Sequence, residues 1–319
     1  MTDINELRRR FSIPSVVTIE PARGGLPRVA VTTEQGEAHI YLHGAHVTHY
    51  RPRAGSELLF LSGKSLFEAG KAIRGGVPLI FPWFGPKADD PKAPMHGFAR
   101  TTEWTLIGVG HLSDGSVSVQ LEMNSTPQTM AIWPHAFRLV YTVRVSTTLD
   151  LVLEVHNPGN TPFGYEEALH TYLAVGDVRH AQISGLAGRE FLDKTDGARR
   201  KTQPAGRIGI ISETDRVYLN TADEVTVLDP FVGREIFVSK EGSKATVLWN
   251  PWIAKAKAMA DFGDDEWPAM LCIETANAAE NSVTVAGGKS HKMTARIAWK
   301  PAPISESKSE TRQWEMSGK

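Results

Sequence analysis

Two residues in separate apolar segments could together move a proton. His170 lies in the strand-like segment ALHTYLAVGD (168–177), and Glu274 lies in MLCIET (270–275), where a buried strand normally carries aliphatic side chains. An imidazole titrates near neutral pH and a carboxylate accepts protons, so the pair is the minimal set for protonating one oxygen while deprotonating another. On residue type alone, a buried structural histidine and a structural salt bridge are the simpler interpretations.

Two arginines flank an aromatic loop and could bind an anion. Arg74 precedes a Gly-Gly pair, and Arg100 ends the motif HGFAR. Arginine stays ionised and presents paired donors, which suit a compact, doubly charged phosphate monoester. We predict a phosphate clamp in which Gly75 permits close backbone approach. The alternative is that the arginines pair with loop carboxylates such as Asp89 or Asp90.

Aromatic side chains are frequent in the segments between predicted strands. Because a sugar ring has an apolar C–H face and a rim of hydroxyls, aromatic planes beside charged hydrogen-bonding groups suit it. About half of these aromatics are expected instead to seal the ends of the sheets. They are Phe81, Trp83, Phe84, Trp133, Phe137, Trp249, Trp252 and Trp267.

Two further polar residues are candidates for sugar binding. His96 lies in the HGFAR loop and could hydrogen-bond a ring oxygen or an adjacent hydroxyl. Asp215, in TDRVY (214–218), could accept hydrogen bonds from two neighbouring hydroxyls. The alternatives are loop scaffolding for His96 and a Thr-Asp turn for Asp215.

Period-two alternation of apolar and polar residues predicts a large antiparallel β protein. The segments 139–145 and 149–155 are separated by Ser146–Thr148, which predicts a hairpin. Helices are expected to be few, with one or two turns at 4–11 and a short piece at 65–69. No strand–helix repeat indicates a nucleotide-binding α/β fold. The other alternating segments are 29–32, 117–121, 225–227, 245–249 and 293–299.

Composition excludes several classes of function. Lys+Arg 35 against Asp+Glu 36 gives a net charge of -1, which favours neither nucleic acid nor an anionic membrane as a partner. The N-terminus lacks the apolar core of a signal peptide and no long apolar run occurs, so we expect a cytoplasmic protein. We also expect a monomer, although the sequence does not determine the oligomeric state.

We expect neither a metal nor another cofactor. The single cysteine, Cys272, excludes an intramolecular disulfide and a thiolate-rich metal site, and should share a strand face with Glu274 as a small buried hydrophobe. A group of four histidines is close in sequence, but no Cys or acidic residue completes a tetrahedral set. These are His39, His43, His46 and His49.

The ordered motifs resemble those of the glucose-6-phosphate 1-epimerases, or hexose-6-phosphate mutarotases, in the galactose-mutarotase-like superfamily. The resemblance extends from about Ile40 to about Trp299. The motifs are RGGVPLIFPWFG (74–85), HGFAR (96–100), ALHTYLAVGD (168–177), TDRVY (214–218), VLWNPW (247–252) and MLCIET (270–275).

This resemblance implies a β-supersandwich in one domain, residues 1–319, with an N-terminal extension (1–13) and a polar C-terminal tail (301–319). It implies interconversion of the α and β anomers of a hexose 6-phosphate, most simply glucose 6-phosphate. The family's catalytic histidine and glutamate fall on His170 and Glu274. Substrate-binding residues of the family match Arg74, Arg100 and Asp215, while His96 would support them. Met95 departs from the family, where a polar residue such as Gln often precedes HGFAR.

Three other functions stay open. An aldose 1-epimerase for unphosphorylated sugars would not need both Arg74 and Arg100. A non-catalytic carbohydrate-binding or regulatory protein would tolerate loss of His170 or Glu274, yet both are present. A polysaccharide-processing enzyme would need a longer open cleft. The sequence does not rank glucose, galactose and mannose 6-phosphates.

Overall fold

Antiparallel strands dominate the computed structural model of the protein, which describes residues 3–303. From residue 304 onwards, the predicted C-terminal tail lies outside the described residues. The strands, in chain order, are β1 (Val17–Pro21), β2 (Pro27–Thr32), β3 (Gly36–Tyr41), β4 (His46–Pro52), β5 (Leu79–Ile80), β6 (Thr105–His111), β7 (Val117–Asn124), β8 (Arg138–Val145), β9 (Leu149–His156), β10 (Phe163–Tyr165), β11 (Glu167–Leu169), β12 (Tyr172–Ala174), β13 (Gln182–Ser184), β14 (Glu190–Asp193), β15 (Arg199–Thr202), β16 (Thr214–Leu219), β17 (Val225–Asp229), β18 (Arg234–Glu241), β19 (Ala245–Asn250), β20 (Met270–Asn277), β21 (Val283–Val285) and β22 (Ser290–Pro301).

The strands form two large sheets and two small ones. The β9 sheet has eight strands in the order β13-β17-β18-β22-β9-β8-β7-β6. The β20 sheet also has eight strands, in the order β15-β14-β16-β19-β20-β11-β5 with β12 paired to β20. Strands β1 to β4 form a four-stranded sheet in sequence order, and β10 pairs with β21. One continuous apolar core contains side chains from both large sheets.

The hairpin of β8 and β9 shows how the sequence pattern produces these sheets. Every second residue of β8 is buried, from Leu139 to Val145, because successive side chains of a strand point to opposite faces. Val145 pairs with Leu149 across the connection Ser146–Thr148. The predicted hairpin and the predicted all-β class are therefore confirmed.

Three short helices accompany the sheets: α1 (Ile4–Phe11), α2 (Pro127–Ile132) and α3 (Trp252–Ala258). The first confirms the predicted N-terminal helix. The Asp3 side chain accepts hydrogen bonds from the first-turn backbone N–H groups, and Leu7 is buried against the core. No helix among the described residues has the length and apolar character needed to cross a membrane.

The helix predicted at residues 65–69 is wrong. Neighbouring loops use the polar groups of this segment, since Ser65 Oγ accepts from the backbone N–H of Arg74 at 2.8 Å and Arg23 donates to the Ser65 carbonyl at 3.2 Å. Phe67 packs on Tyr41 with ring centroids 5.1 Å apart. These tertiary contacts hold the segment in a non-helical conformation.

Candidate functional site

A pocket of about 390 Å³ opens beside the central strands of the β20 sheet. A more open groove of about 550 Å³ lies against the four-stranded sheet. Neither His170 nor Glu274 lines this groove. All six residues predicted from the sequence line the smaller pocket, which makes it the candidate active site. They are Arg74, His96, Arg100, His170, Asp215 and Glu274.

His170 occupies a break between β11 and β12. The strand-like run predicted around it is divided there, because the His170 N–H donates to the Pro78 carbonyl at 3.0 Å. Its ring stacks on Tyr172, with centroids 4.8 Å apart and an interplanar angle of 10°, and meets Trp249 edge-on. This packing holds the imidazole at the pocket wall, with Nδ1 buried and without a hydrogen-bond partner.

Glu274 lies in β20, where all eight residues are buried. It pairs in register with Val247 of β19. Nε2 of His170 lies 3.3 Å from Oε1 of Glu274, while Oε2 is buried and has no hydrogen-bond partner. The structure therefore brings together the two groups that the sequence proposed as acid and base.

Burial controls the charge of this pair. It lowers the pKa of His170 well below the usual value, and neighbouring cationic side chains add to the shift. Burial raises the pKa of Glu274 well above the usual value. Although the contact is short enough for an ion pair, desolvation favours the neutral imidazole with a protonated carboxyl. This form and the ion pair hold the same single proton and differ only in the atom that carries it.

Arg74 is held by two partners. Its Nε and Nη2 donate to Oδ2 of Asp261 at 3.2 and 3.1 Å, and its Nη1 donates to the Tyr172 hydroxyl at 3.0 Å. Tyr172 and Asp261 raise the pKa of Arg74, so it stays cationic. The sequence offers a loop carboxylate such as Asp89 or Asp90 as the alternative partner of this arginine; the carboxylate that it contacts is Asp261, while Asp89 pairs with Lys87.

Arg100 has fewer partners. It lies in a short 3₁₀ turn and is 8% exposed, and its Nη2 donates to the Met95 carbonyl at 2.8 Å. Its Nε is buried without a partner. Burial, followed by the charge of Arg74, lowers the pKa of Arg100 to about 10, which still leaves a cation at neutral pH. A buried cation with an unused donor beside a second cation is an arrangement that a bound anion would stabilise.

His96 is a neutral donor in the pocket. Burial, followed by the charge of Arg100, lowers its pKa to about 3. Nδ1 of His96 accepts from the Gly85 N–H at 3.0 Å, so the proton of the neutral ring lies on Nε2. This tautomer can donate to a sugar oxygen, as predicted.

The two loops that carry Arg74 and His96 depend on close backbone contacts. At Gly97, φ is +73°, and a Cβ would lie 1.9 Å from the Phe81 carbonyl oxygen. At Gly75, φ is +112°, and a Cβ would lie 2.5 Å from the Phe60 carbonyl oxygen. The close approach at Gly75 is therefore made to the protein's own backbone. Met95, the departure from the family pattern, lines the pocket and uses its carbonyl to hold Arg100.

Asp215 lies in β16, in register with Trp249 of β19. Burial raises its pKa, although Lys255, whose Nζ lies 3.7 Å from Oδ2, opposes the shift. Sequence analysis missed Lys255 in α3 and Lys194, which both line the pocket. Neither lysine lies in a distinctive motif, so only the folded chain reveals its position.

One group of three side chains within residues 3–303 could hold a metal ion. Donor atoms of His170, Cys272 and Glu274 lie within 4.8 Å of one another, a nitrogen, sulfur and oxygen set that suits Zn²⁺. However, burial raises the pKa of Cys272 well above its usual value, so the thiol stays protonated. The nearby guanidinium groups also disfavour a divalent cation.

The four histidines near the N-terminus do not come together as a metal site in the described part of the chain. His43 and His46 each have Nε2 close to a backbone carbonyl oxygen, at 2.6 Å from Lys71 and 2.7 Å from Gly75. These two rings brace loops, and His46 supports the backbone next to Arg74.

Comparisons with known proteins show the family to which the chain is similar. A family model described as "Aldose 1-epimerase" matches residues 27–298. An Escherichia coli K12 protein named "Putative glucose-6-phosphate 1-epimerase" is 37% identical over 279 residues, covering 86% of this chain and 92% of the relative. A protein of Cenchrus ciliaris with the same name is 36% identical over 278 residues, covering 84% and 82%.

A solved structure shows the same fold. The crystal structure of a "putative mutarotase" from Salmonella typhimurium superposes with a TM-score of 0.85 at 32% identity. The match covers 91% of this chain and 96% of the other. The predicted galactose-mutarotase-like architecture is therefore confirmed.

Proposed function

Because the chain belongs to the aldose 1-epimerase family, we propose that it interconverts the α and β anomers of a hexose 6-phosphate, with glucose 6-phosphate as the first substrate to test. The observation that carries the proposal is the pair of His170 and Glu274, 3.3 Å apart, in a pocket that also holds the buried Arg100 and the partly buried Arg74. One pair supplies acid–base chemistry and the other supplies anion binding.

The proposed reaction needs one proton donor and one acceptor. His170 protonates the ring oxygen while Glu274 removes the proton of the C1 hydroxyl, so the bond between C1 and the ring oxygen breaks and an aldehyde forms. Rotation about the C1–C2 bond and reclosure with the roles reversed give the other anomer. No redox step occurs, and the pair regains its single proton at the end of each cycle.

The substrate phosphate would also adjust the acid–base pair. The positive charges of Arg74 and Arg100 lower the pKa of His170. A phosphate bound to these guanidinium groups offsets their charge, which raises the pKa of His170 and favours the protonated imidazole. Binding of the correct substrate thus prepares the general acid.

The phosphate subsite is proposed from the unsatisfied state of Arg100. Its Nε–H has no partner among the described residues, and its charge lies beside that of Arg74. Asp215, His96 and Lys255 are left for the sugar hydroxyls. An unphosphorylated sugar would leave Arg100 without an anionic partner among the described residues, and for that reason we place the ordinary aldose 1-epimerase second.

An anomerisation assay on glucose and glucose 6-phosphate tests the proposal, with α-to-β conversion followed by exchange NMR. Arg100→Ala should lose at least about 10-fold on the phosphorylated sugar, because a hydrogen bond to a charged group contributes about 1.5–3 kcal/mol. Activity on free glucose should change far less, because only the effect of Arg100 on the pKa of His170 acts there. Arg144→Ala, which removes an exposed arginine paired with Asp114, is the control. Equal losses on both sugars would favour an aldose epimerase for unphosphorylated sugars.

The remaining expectations stay predictions. The proposed partner is a small sugar phosphate, without nucleic acid or membrane, and the protein is proposed to act as a cytoplasmic monomer in a single domain. Light scattering coupled to size exclusion measures the oligomeric state directly, and a mass near 35.0 kDa is expected.

A further inference from the structure

We propose that Asp261 is a positioning residue that sets the preference of the pocket for phosphorylated over free sugars by fixing the guanidinium of Arg74. This inference rests on the proposed function. Asp261 belongs to no motif singled out in the sequence. It lies in the loop after α3 and reaches Arg74 from the opposite end of the chain, at 3.1 and 3.2 Å.

The contacts of Arg74 determine which donors remain for a ligand. A guanidinium has five N–H donors. Asp261 takes two of them and the Tyr172 hydroxyl takes a third. Two donors are therefore left for a phosphate, and their direction is fixed by the partners of the other three.

The loop that carries Asp261 is itself anchored. The Glu266 carboxylate accepts from the Gly263 N–H at 2.9 Å, from Ser62 Oγ at 2.6 Å and from the Gly63 N–H at 2.9 Å. These bonds tie the loop to the segment that precedes Arg74. The backbone of the loop that carries Asp261 is therefore already fixed. Asp261 does not need to be ordered when the ligand binds.

Asp261 also opposes a repulsion. Arg74 is the second cause, after burial, of the lowered pKa of Arg100, so the two guanidinium groups repel each other in the pocket. Without the bonds to Asp261, the Arg74 guanidinium would lose two of its three contacts and would have to be ordered again by the incoming anion. Ordering a long arginine side chain reduces the affinity that its hydrogen bonds would otherwise give.

The charge of Asp261 and its positioning of Arg74 predict opposite effects of Asp261→Asn on phosphate affinity. On charge alone, removing a carboxylate near an anion subsite strengthens phosphate binding. On position, the same change weakens it, because Arg74 loses its fixed orientation. The direction of the change in phosphate affinity therefore tests the proposal.

The experiment compares Asp261→Asn with Asp264→Asn, which alters the same loop at an exposed carboxylate paired with Lys64. Measurements are KM and kcat for glucose 6-phosphate and for glucose, with the inhibition constant of inorganic phosphate. Asp261→Asn should raise the phosphate inhibition constant and the glucose 6-phosphate KM by roughly three- to tenfold, as expected for a weakened charge-assisted bond. The kcat should stay within about twofold and the glucose values should not change. Asp264→Asn should match the wild type.

A double-mutant cycle adds a second readout. In an Arg74→Ala background, Asp261→Asn should no longer weaken phosphate binding, because Asp261 acts through Arg74. Tyr172→Phe keeps the ring that stacks on His170 and removes only the hydroxyl that holds Arg74, so a smaller loss in the same direction is expected. This variant also tests the network if Asp261→Asn fails to fold.

The outcomes separate this inference from the proposed function. A wild type with no preference for glucose 6-phosphate and no inhibition by phosphate would contradict the proposed function. A phosphate-selective wild type whose Asp261→Asn variant binds phosphate equally or more tightly would contradict only the role of Asp261.

Discussion

The His170–Glu274 and His291–Glu167 contacts have nearly equal lengths but different surroundings. His170 and Glu274 are 3.3 Å apart at the pocket, and His291 and Glu167 are 3.2 Å apart where β22 of the β9 sheet meets β11 of the β20 sheet. In the first pair, burial lowers the pKa of His170. In the second, the hydrogen bond with Glu167 raises the pKa of His291.

The difference lies in the neighbours of each pair. Glu167 accepts from the side-chain amide of Asn277 at 2.8 Å, and His291 lies 2.9 Å from the Gly242 carbonyl oxygen. Among residues 3–303, the one polar contact of the His170 side chain is with Glu274, and the charges of nearby guanidinium groups act on the pair. A His–Glu contact whose glutamate accepts from an amide and whose histidine lies beside a carbonyl oxygen stabilises an ion pair, whereas one beside guanidinium groups and a pocket keeps a proton that can be transferred.

The largest expected difference between the two pairs is in catalysis. His170→Asn and Glu274→Gln should each lower the anomerisation rate by about 10²–10⁴, the usual contribution of a general acid or base. The matched changes His291→Asn and Glu167→Gln should keep most of the rate. Polarimetry on folded variants measures this. A His170 or Glu274 variant that retains more than about a tenth of the wild-type rate would overturn its assigned role.

The pH dependence of the rate should follow the catalytic pair alone. Activity needs one proton shared by His170 and Glu274, so we expect a bell-shaped profile with losses when a second proton is added or the last one leaves. His291→Asn should preserve the bell, while His170→Asn should remove the alkaline limb from the residual rate. A flat wild-type profile from about pH 5 to 9, with chemistry rate-limiting, would count against the pair.

Stability should change in opposite directions at the two glutamates. Because the folded-state pKa of Glu274 is raised, its contribution is present below the usual carboxyl pKa and is lost as pH rises towards the folded value. Glu274→Gln should therefore gain roughly 1–3 kcal/mol relative to wild type between pH 5 and pH 8. Urea unfolding at both pH values measures this difference.

Glu167→Gln should instead destabilise the protein by about 1–3 kcal/mol, since it removes the negative charge that strengthens the bond to His291. The folded-state pKa of His291 is raised, so the contribution of this bond is full below about pH 6.5 and is lost as pH rises through the folded value. The loss should thus be larger at pH 5.5 than at pH 8.5. A loss independent of pH would show that His291 is not charged.

The smallest expected effect is on the histidine pKa values themselves. Arg100→Gln removes a cation that, after burial, helps to lower the pKa of His170, so this pKa should rise. The pKa of His291 should not move. NMR titration of the ring protons in both proteins measures the two values, and a His170 that titrates at its usual value in the wild type would rule out the cationic surroundings as the cause.

Sequence patterns predicted the secondary-structure elements better than the contacts between residues that are distant in the chain. The alternation that gave the β8–β9 hairpin is a local property, and so is the N-cap of α1 at Asp3. The helix predicted at 65–69 is wrong because the conformation of this segment depends on contacts with Arg23 and Arg74. Both residues lie outside the segment from which the helix was predicted. Local propensity does not include such contacts.

In the candidate site, too, motifs identified some residues and only the fold revealed the others. Motifs identified His170, Glu274 and Arg100, but no motif contained Asp261, Lys194 or Lys255. Lys194 and Lys255 reach the pocket, and Asp261 reaches Arg74, only after β14, β16, β19 and α3 are assembled. The partner of Arg74 was expected nearby in the chain and instead comes from a loop 187 residues away.

The sequence by itself determined the all-β class, the residue types of an acid–base pair and the likeness to a mutarotase family. These follow from period-two patterning and from the order of the motifs. Only the tertiary structure decided which of two similar His–Glu contacts faces a pocket, and which donors of Arg74 and Arg100 are unused. The physical reason is that the charge state of a buried group depends on every neighbour that folding brings around it, and those neighbours come from distant parts of the chain.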